Sequence, residues 1–150
     1  MNIYIVVSVF IFMHYRIPSD EDVMVALYKA LTRHGTIDSQ RKLRDMVVKE
    51  LRKWDKHYRV SLWRVRKAAI RAEFVNVDIQ SREGERTLEL STCPVCGTRL
   101  KTVHTMSLWG KEVTIGYRCP TCRYKSGVKK QVPTRYIFHL DESMPRASTL

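Results

Sequence analysis

The chain has 150 residues, is 44% hydrophobic, and carries 27 Lys and Arg against 15 Asp and Glu, a formal net charge of +12. That length admits one ordinary domain or two small ones, and the apolar content excludes a chain too polar to bury a core. A basic excess of this size points to a polyanionic partner, most often nucleic acid and less often an anionic membrane surface.

The excess is concentrated. Residues 41–73 hold 12 Lys and Arg against 4 acids, and residues 93–138 hold 9 against 1. Two basic regions imply two contact surfaces, or one long one.

Residues 1–18 form an apolar N-terminal segment. Ile3 to Met13 is nearly all apolar, yet shorter than the roughly 20 residues a spanning helix needs. It lacks the positive n-region and small-residue cleavage site of a signal peptide. Three readings stay open: a pairing strand, a membrane-associating segment, or an extension upstream of a start at Met13. A capped helix soon after Met13 favours the last, and no membrane partner is expected.

That helix begins at Ser19. Ser19-Asp20-Glu21-Asp22 puts an acid three residues after a Ser cap, a capping-box pattern, and its acids lie at the positive end of the helix dipole. Val23, Leu27, Ala30 and Leu31 make the apolar stripe, and Gly35 ends it. A second helix, capped by Asp38 or Ser39, is expected to run to about Lys56. Leu43, Met46, Val47, Leu51 and Trp54 share one face, and the other is basic: Arg41, Lys42, Arg44, Lys49, Arg52 and Lys53. Ser61 caps a third helix to about Glu73. Leu62, Val65 and Ala69 point one way. Arg64, Lys67, Ala68 and Arg71 share the opposite face, with Trp63 and Arg66 on the flanks.

Val75, Val77 and Ile79 alternate as in a half-buried strand. Glu83-Gly84-Glu85 reads as a hairpin turn, and Thr87 to Ser91 as the returning strand. Arg82 and Arg86 flank that turn. Three helices followed by a strand-turn-strand is the element order of a winged helix-turn-helix.

All four cysteines come next, as Cys93-Pro94-Val95-Cys96 and Cys119-Pro120-Thr121-Cys122, with 22 residues between the pairs. Each C-x-x-C sits on a tight turn, and two such turns complete a tetrahedral S4 site. Disulfides suit a secreted mini-protein, and no secretory context is visible. One structural Zn(2+) held by Cys93, Cys96, Cys119 and Cys122 is the preferred reading, with iron as the competing metal. Four thiolates leave no open position for catalysis. Thr98 to His104 and Glu112 to Arg118 read as the strands of a hairpin, with Met106 to Gly110 at its tip. Pro133 argues that any strand in the basic stretch from Tyr124 to Phe138 is short or at an edge.

The expected fold is therefore α+β. A winged helix-turn-helix fills residues 19–92. A β zinc ribbon with a basic C-terminal strand fills 93–140, and a disordered tail fills 141–150. In a helix-turn-helix the second helix of the motif enters the major groove. Arg64, Lys67 and Arg71, with Arg66 beside them, are the candidate groove contacts. Arg41, Lys42 and Arg44 are placed on phosphate, and Arg82 and Arg86 on a minor groove or backbone. Trp63 reads as core packing under the wing. Trp109, at the ribbon tip, reads as packing on a base or a protein partner, or as a core or dimer contact.

Taken together, residues 19–92 and the motif Cys93, Cys96, Cys119 and Cys122 resemble the archaeal winged-helix/zinc-ribbon proteins treated as transcriptional regulators. The resemblance implies binding to double-stranded DNA in the cytoplasm, often as a homodimer. Zinc ribbons of transcript-cleavage factors carry an acidic pair at the tip, whereas here Glu112 stands alone. An enzyme is not expected: His14, His34, His57, His104 and His139 are scattered, and no phosphate loop or nucleophile motif is present. RNA or ribosome association and docking on RNA polymerase are the alternative partners.

Overall fold

The computed structural model describes residues 15–86 and 90–143. The readings placed on residues 1–14, on Thr87 to Glu89 and on residues 144–150 lie outside them.

Three capped helices come first. Ser19 Oγ accepts from the Asp22 amide at 3.1 Å, and the Asp22 carboxylate accepts from the Ser19 amide, so the capping box forms as read. It starts α1 (Asp20–His34), which Gly35 closes at φ 72° with its amide on the Leu31 carbonyl. That left-handed conformation costs glycine nothing. After the short β1 (Thr36–Ile37), Ser39 rather than Asp38 caps α2 (Gln40–Leu51). This helix stops short of the expected Lys56. Asp55 accepts from the His57 amide and pairs with Arg16, whose backbone bonds to His57 and Arg59. The segment before α1 thus captures the chain just after α2. Ser61 caps α3 (Leu62–Arg71), and Ala72 turns the backbone extended.

The next strand overturns the expected hairpin. β2 (Val75–Arg86) runs straight through Glu83-Gly84-Glu85. Among the described residues it pairs with β6 (Lys129–Leu140). Gly84 is there for close approach: an added Cβ would lie 3.0 Å from Val132 Cγ2 and 3.1 Å from the Lys130 carbonyl. A glycine that admits a neighbouring strand and one that makes a turn look alike in a sequence.

The first sheet has the antiparallel order β1–β6–β2. Phe138 of the central strand pairs with Ile37 on one side and Val77 on the other, and all three are buried. They close a core with Leu27, Leu31, Leu43, Val47, Leu51 and Val65 from the helices. The strand expected to belong to the ribbon therefore completes the helical unit instead. Pro133 does not shorten it. The proline sits at a register irregularity opposite Ser81, outside the stretch that β1 covers, where a missing amide hydrogen costs little.

The cysteine segment is thus inserted between β2 and β6. It holds a second antiparallel sheet, β3 (Lys101–Met106), β4 (Glu112–Arg118) and β5 (Lys125–Ser126), in that order. Its small core of Cys93, Val95, Cys96, Leu100, Cys119 and Tyr124 packs on Ile70 of α3, Ile79 of β2 and Tyr136 of β6. The Tyr124 hydroxyl donates to the Gln131 carbonyl at 2.6 Å. The two units share a packed boundary.

One glycine is required here. A Cβ on Gly116 would collide with the Ser126 carbonyl across the β4–β5 pair. Gly116→Ala is expected to cost about 1–3 kcal/mol by forcing those strands apart. Thermal denaturation checks this, and an unchanged melting temperature would contradict so tight a β4–β5 contact.

Candidate functional site

The two knuckles meet as their spacing requires. Cys93 Sγ lies 3.6 Å from Cys122 Sγ, and Cys96 Sγ lies 3.5 Å from Cys119 Sγ. All four sulfurs fall within 4.8 Å of one another. None is in a disulfide. Sulfurs about 2.3 Å from a tetrahedral ion would stand about 3.8 Å apart, so the cluster has the dimensions of an S4 site.

Local backbone builds the pocket. Gly97 takes φ 77° so that its amide reaches the Cys93 carbonyl at 2.9 Å. The Val95 amide points at Cys93 Sγ, and the Thr121 and Cys122 amides point at Cys119 Sγ, each at 3.4 Å. In the second knuckle Arg123 takes the glycine's place and reaches out to Asp78 and Asn76.

The electrostatics fit a cation. Burial pushes the Cys93 thiol up to about 11, against the pull of the Cys96 and Val95 amides. Burial, aided by the sulfurs of Cys119 and Cys93, also raises the Cys122 thiol above its ordinary value. Burial also works against ionising Cys96, but its hydrogen bonds with Thr98 and the neighbouring sulfurs outweigh it and hold this thiol below its ordinary value. Four thiols in one desolvated pocket cannot all ionise without a positive ion among them.

The basic residues have separate fates. Arg71 is exposed, and Lys67 is half-buried with its ammonium 5.6 Å from the Trp63 ring. Arg64 faces solvent less than its helix position suggested. It is 27% exposed and bonded to Asp20 at 2.7 Å, and its Nη1 is buried without a partner. The Arg64 guanidinium, through its hydrogen bond and charge, holds the Asp20 carboxyl below its usual range. Asp20, Met24, Trp63, Arg64, Lys67 and Arg71 line a cavity of about 440 Å³ between α1 and α3.

Arg66 faces inward, contrary to the groove contact expected of it. Its Nε donates to the Val95 carbonyl at 2.9 Å and its Nη1 to Gln40 at 2.8 Å. Its guanidinium stacks between Trp63 and Tyr136, 4.8 Å from each ring centroid. It is a strut joining α3, α2, β6 and the first knuckle. Trp63 also leaves its expected place, because its ring covers Gly97 of the knuckle while remaining partly exposed.

On α2, Arg41 is exposed, Lys42 is paired with Asp38, and Arg44 with Asp45. Sequence reasoning passed over Arg59. With Arg44, Lys49 and Arg52 it lines an open cavity of about 570 Å³ that holds one acid, Asp45. A cation in the turn just before a helix cap was the available signal. Arg82 is exposed on β2 opposite Val132, and Arg86 ends that strand opposite Lys129, so neither flanks a turn.

No family model, curated protein or solved structure matches this chain. Its site therefore has to be read from its own geometry. Among the described residues no helix is long and apolar enough to cross a membrane.

Proposed function

We propose that the chain is a DNA-binding protein acting in transcription regulation, built as a winged helix-turn-helix with a zinc ribbon set into its wing. The observation that carries this reading is the β1–β6–β2 sheet closing three capped helices whose third bears Lys67 and Arg71 beside an open cavity. In such a fold that helix is the one offered to the major groove. Arg and Lys suit the O6 and N7 acceptors of guanine. Arg41 and the cations around Arg59 suit phosphate, which positions a protein without reading sequence. Glu112 has no second acid beside it at the ribbon tip, which favours binding over transcript cleavage.

Zinc is the ion proposed for the four sulfurs, in a structural role. One equivalent of zinc in a colourless protein supports this, whereas the visible absorption of a ferric tetrathiolate would make the metal iron.

The functional reading is tested by selecting bound sequences from a random duplex pool beside a structured RNA control. Lys67→Ala and Arg71→Ala are each expected to weaken binding to the selected site by about 1–3 kcal/mol where a base contact is lost. Arg66→Ala is expected to lower the melting temperature rather than change selectivity, because its partners are all internal. Equal affinity of both α3 variants and wild type for every duplex would remove α3 as the reader.

A further inference from the structure

The hairpin of β3 and β4 stands apart from both cores. All six residues of β3 are exposed, as are the first four of β4. At about 3.4 Å per residue its arms reach about 20 Å. Its tip is firmly built. The Ser107 amide donates to the Lys111 carbonyl at 2.7 Å, and the Gly110 amide to the Ser107 carbonyl at 2.9 Å. Ser107 Oγ accepts from the Lys111 amide at 3.1 Å, and Gly110 takes φ 72°. Yet this ordered turn holds its largest apolar side chains in water: Leu108 is 98% exposed, Trp109 85% and Met106 66%. Exposed apolar groups on a rigid mount mark a contact surface.

Charge selects the occupant. Lys101 faces Arg118 at the base of the hairpin, Lys111 follows the tip, and Glu112 is the stem's one acid. An apolar protein pocket would leave the cations unanswered. A polyanion with apolar layers inside it answers both features, and a DNA duplex is such a polyanion. Strand pairs are known to enter DNA grooves. Leu, Met and aromatic side chains act as wedges between base steps.

We propose that the β3–β4 hairpin is a DNA-bending wedge. Its tip enters the minor groove, Leu108 and Trp109 pry open a single base step, and Lys111 beside them meets a flanking phosphate. This rests on the DNA-binding reading above and adds a deformation to it.

The test compares wild type with the Leu108→Ser/Trp109→Ala double variant. The duplex is one selected from the pool, with 2-aminopurine at successive steps and fluorophores at its ends. Wild type is expected to raise 2-aminopurine fluorescence at one step and to shorten the end-to-end distance, as a bend of about 20–90° would. The double variant, altered only where side chains touch solvent, is expected to keep its melting temperature and still bind, and to lose both signals. Selective binding by wild type without either signal overturns the wedge and leaves the DNA-binding reading intact. A double variant that bends the duplex as wild type does also overturns it. Failure of wild type to bind any duplex overturns both. Tip-dependent binding to anionic vesicles or to an RNA duplex in place of DNA overturns the choice of partner.

Discussion

Chelating the metal from the purified chain is expected to abolish amide-exchange protection across residues 93–127. Three buried cysteines make up half of the module's small core, with Cys122 partly buried beside them and Val95, Leu100 and Tyr124 as its other buried members. So little apolar surface cannot hold the segment in one conformation unaided. Structural zinc sites contribute on the order of 10–16 kcal/mol at neutral pH, more than a whole domain often has in net stability. The loss is expected to spread. Ile70, Ile79 and Tyr136 rest against this module, and Arg66 is bonded to Val95. The helical unit should therefore melt at a lower temperature once the metal is gone. Retention of exchange protection in β3 and β4 after complete metal removal would refute a structural ion.

Acidity provides a second readout with a definite sign. The metal-free pocket holds Cys93 as a neutral thiol, since its value is raised to about 11. Metal capture must expel such protons, so metal affinity falls as pH falls. Zinc affinity measured across a pH series checks this sign, and an affinity that rises as pH falls would contradict capture by thiolates.

The second large effect concerns β6. Phe138→Ala is expected to cost about 3–5 kcal/mol, the usual result of removing a fully buried aromatic ring. Phe138 is 0% exposed and pairs with both neighbouring strands, so its loss opens a cavity beside Ile37 and Val77. Truncation after residue 127 should be worse. It keeps all three helices and all four cysteines, but removes the central strand of the β1–β6–β2 sheet. β1 and β2 would lose their shared backbone partner, and the helical core would lose the strand that covers it. Denaturant unfolding followed by circular dichroism is expected to show no cooperative transition in that fragment. A fragment 1–127 that unfolds cooperatively near the full-length midpoint would contradict this topology.

The sequence by itself determined whatever depends on neighbours along the chain. Ser19, Ser39 and Ser61 mark three helix starts because a cap bonds to an amide three residues on. Gly35 marks a stop for the same local reason. The two C-x-x-C turns were legible as one cluster because thiolates at that spacing have few other structural uses. Val75, Val77 and Ile79 were legible as a strand from their alternation.

Only the tertiary structure decided which strand pairs with β2, because backbone pairing is chemically indifferent to identity. Val132 to Phe138 competed with the nearer residues 87–91 and is the partner, packing Phe138 into a core that the nearer segment has no ring to fill. It also decided the fate of the arginines. Arg64 and Arg66 are both cations on one helix, yet one is tied to Asp20 and the other lies between two aromatic rings. A helical wheel gives the direction of a side chain from its own axis. What lies in that direction depends on segments 30 to 70 residues away, Val95 and Tyr136 among them, and a long flexible cation settles on whichever acceptors and rings the fold brings within reach.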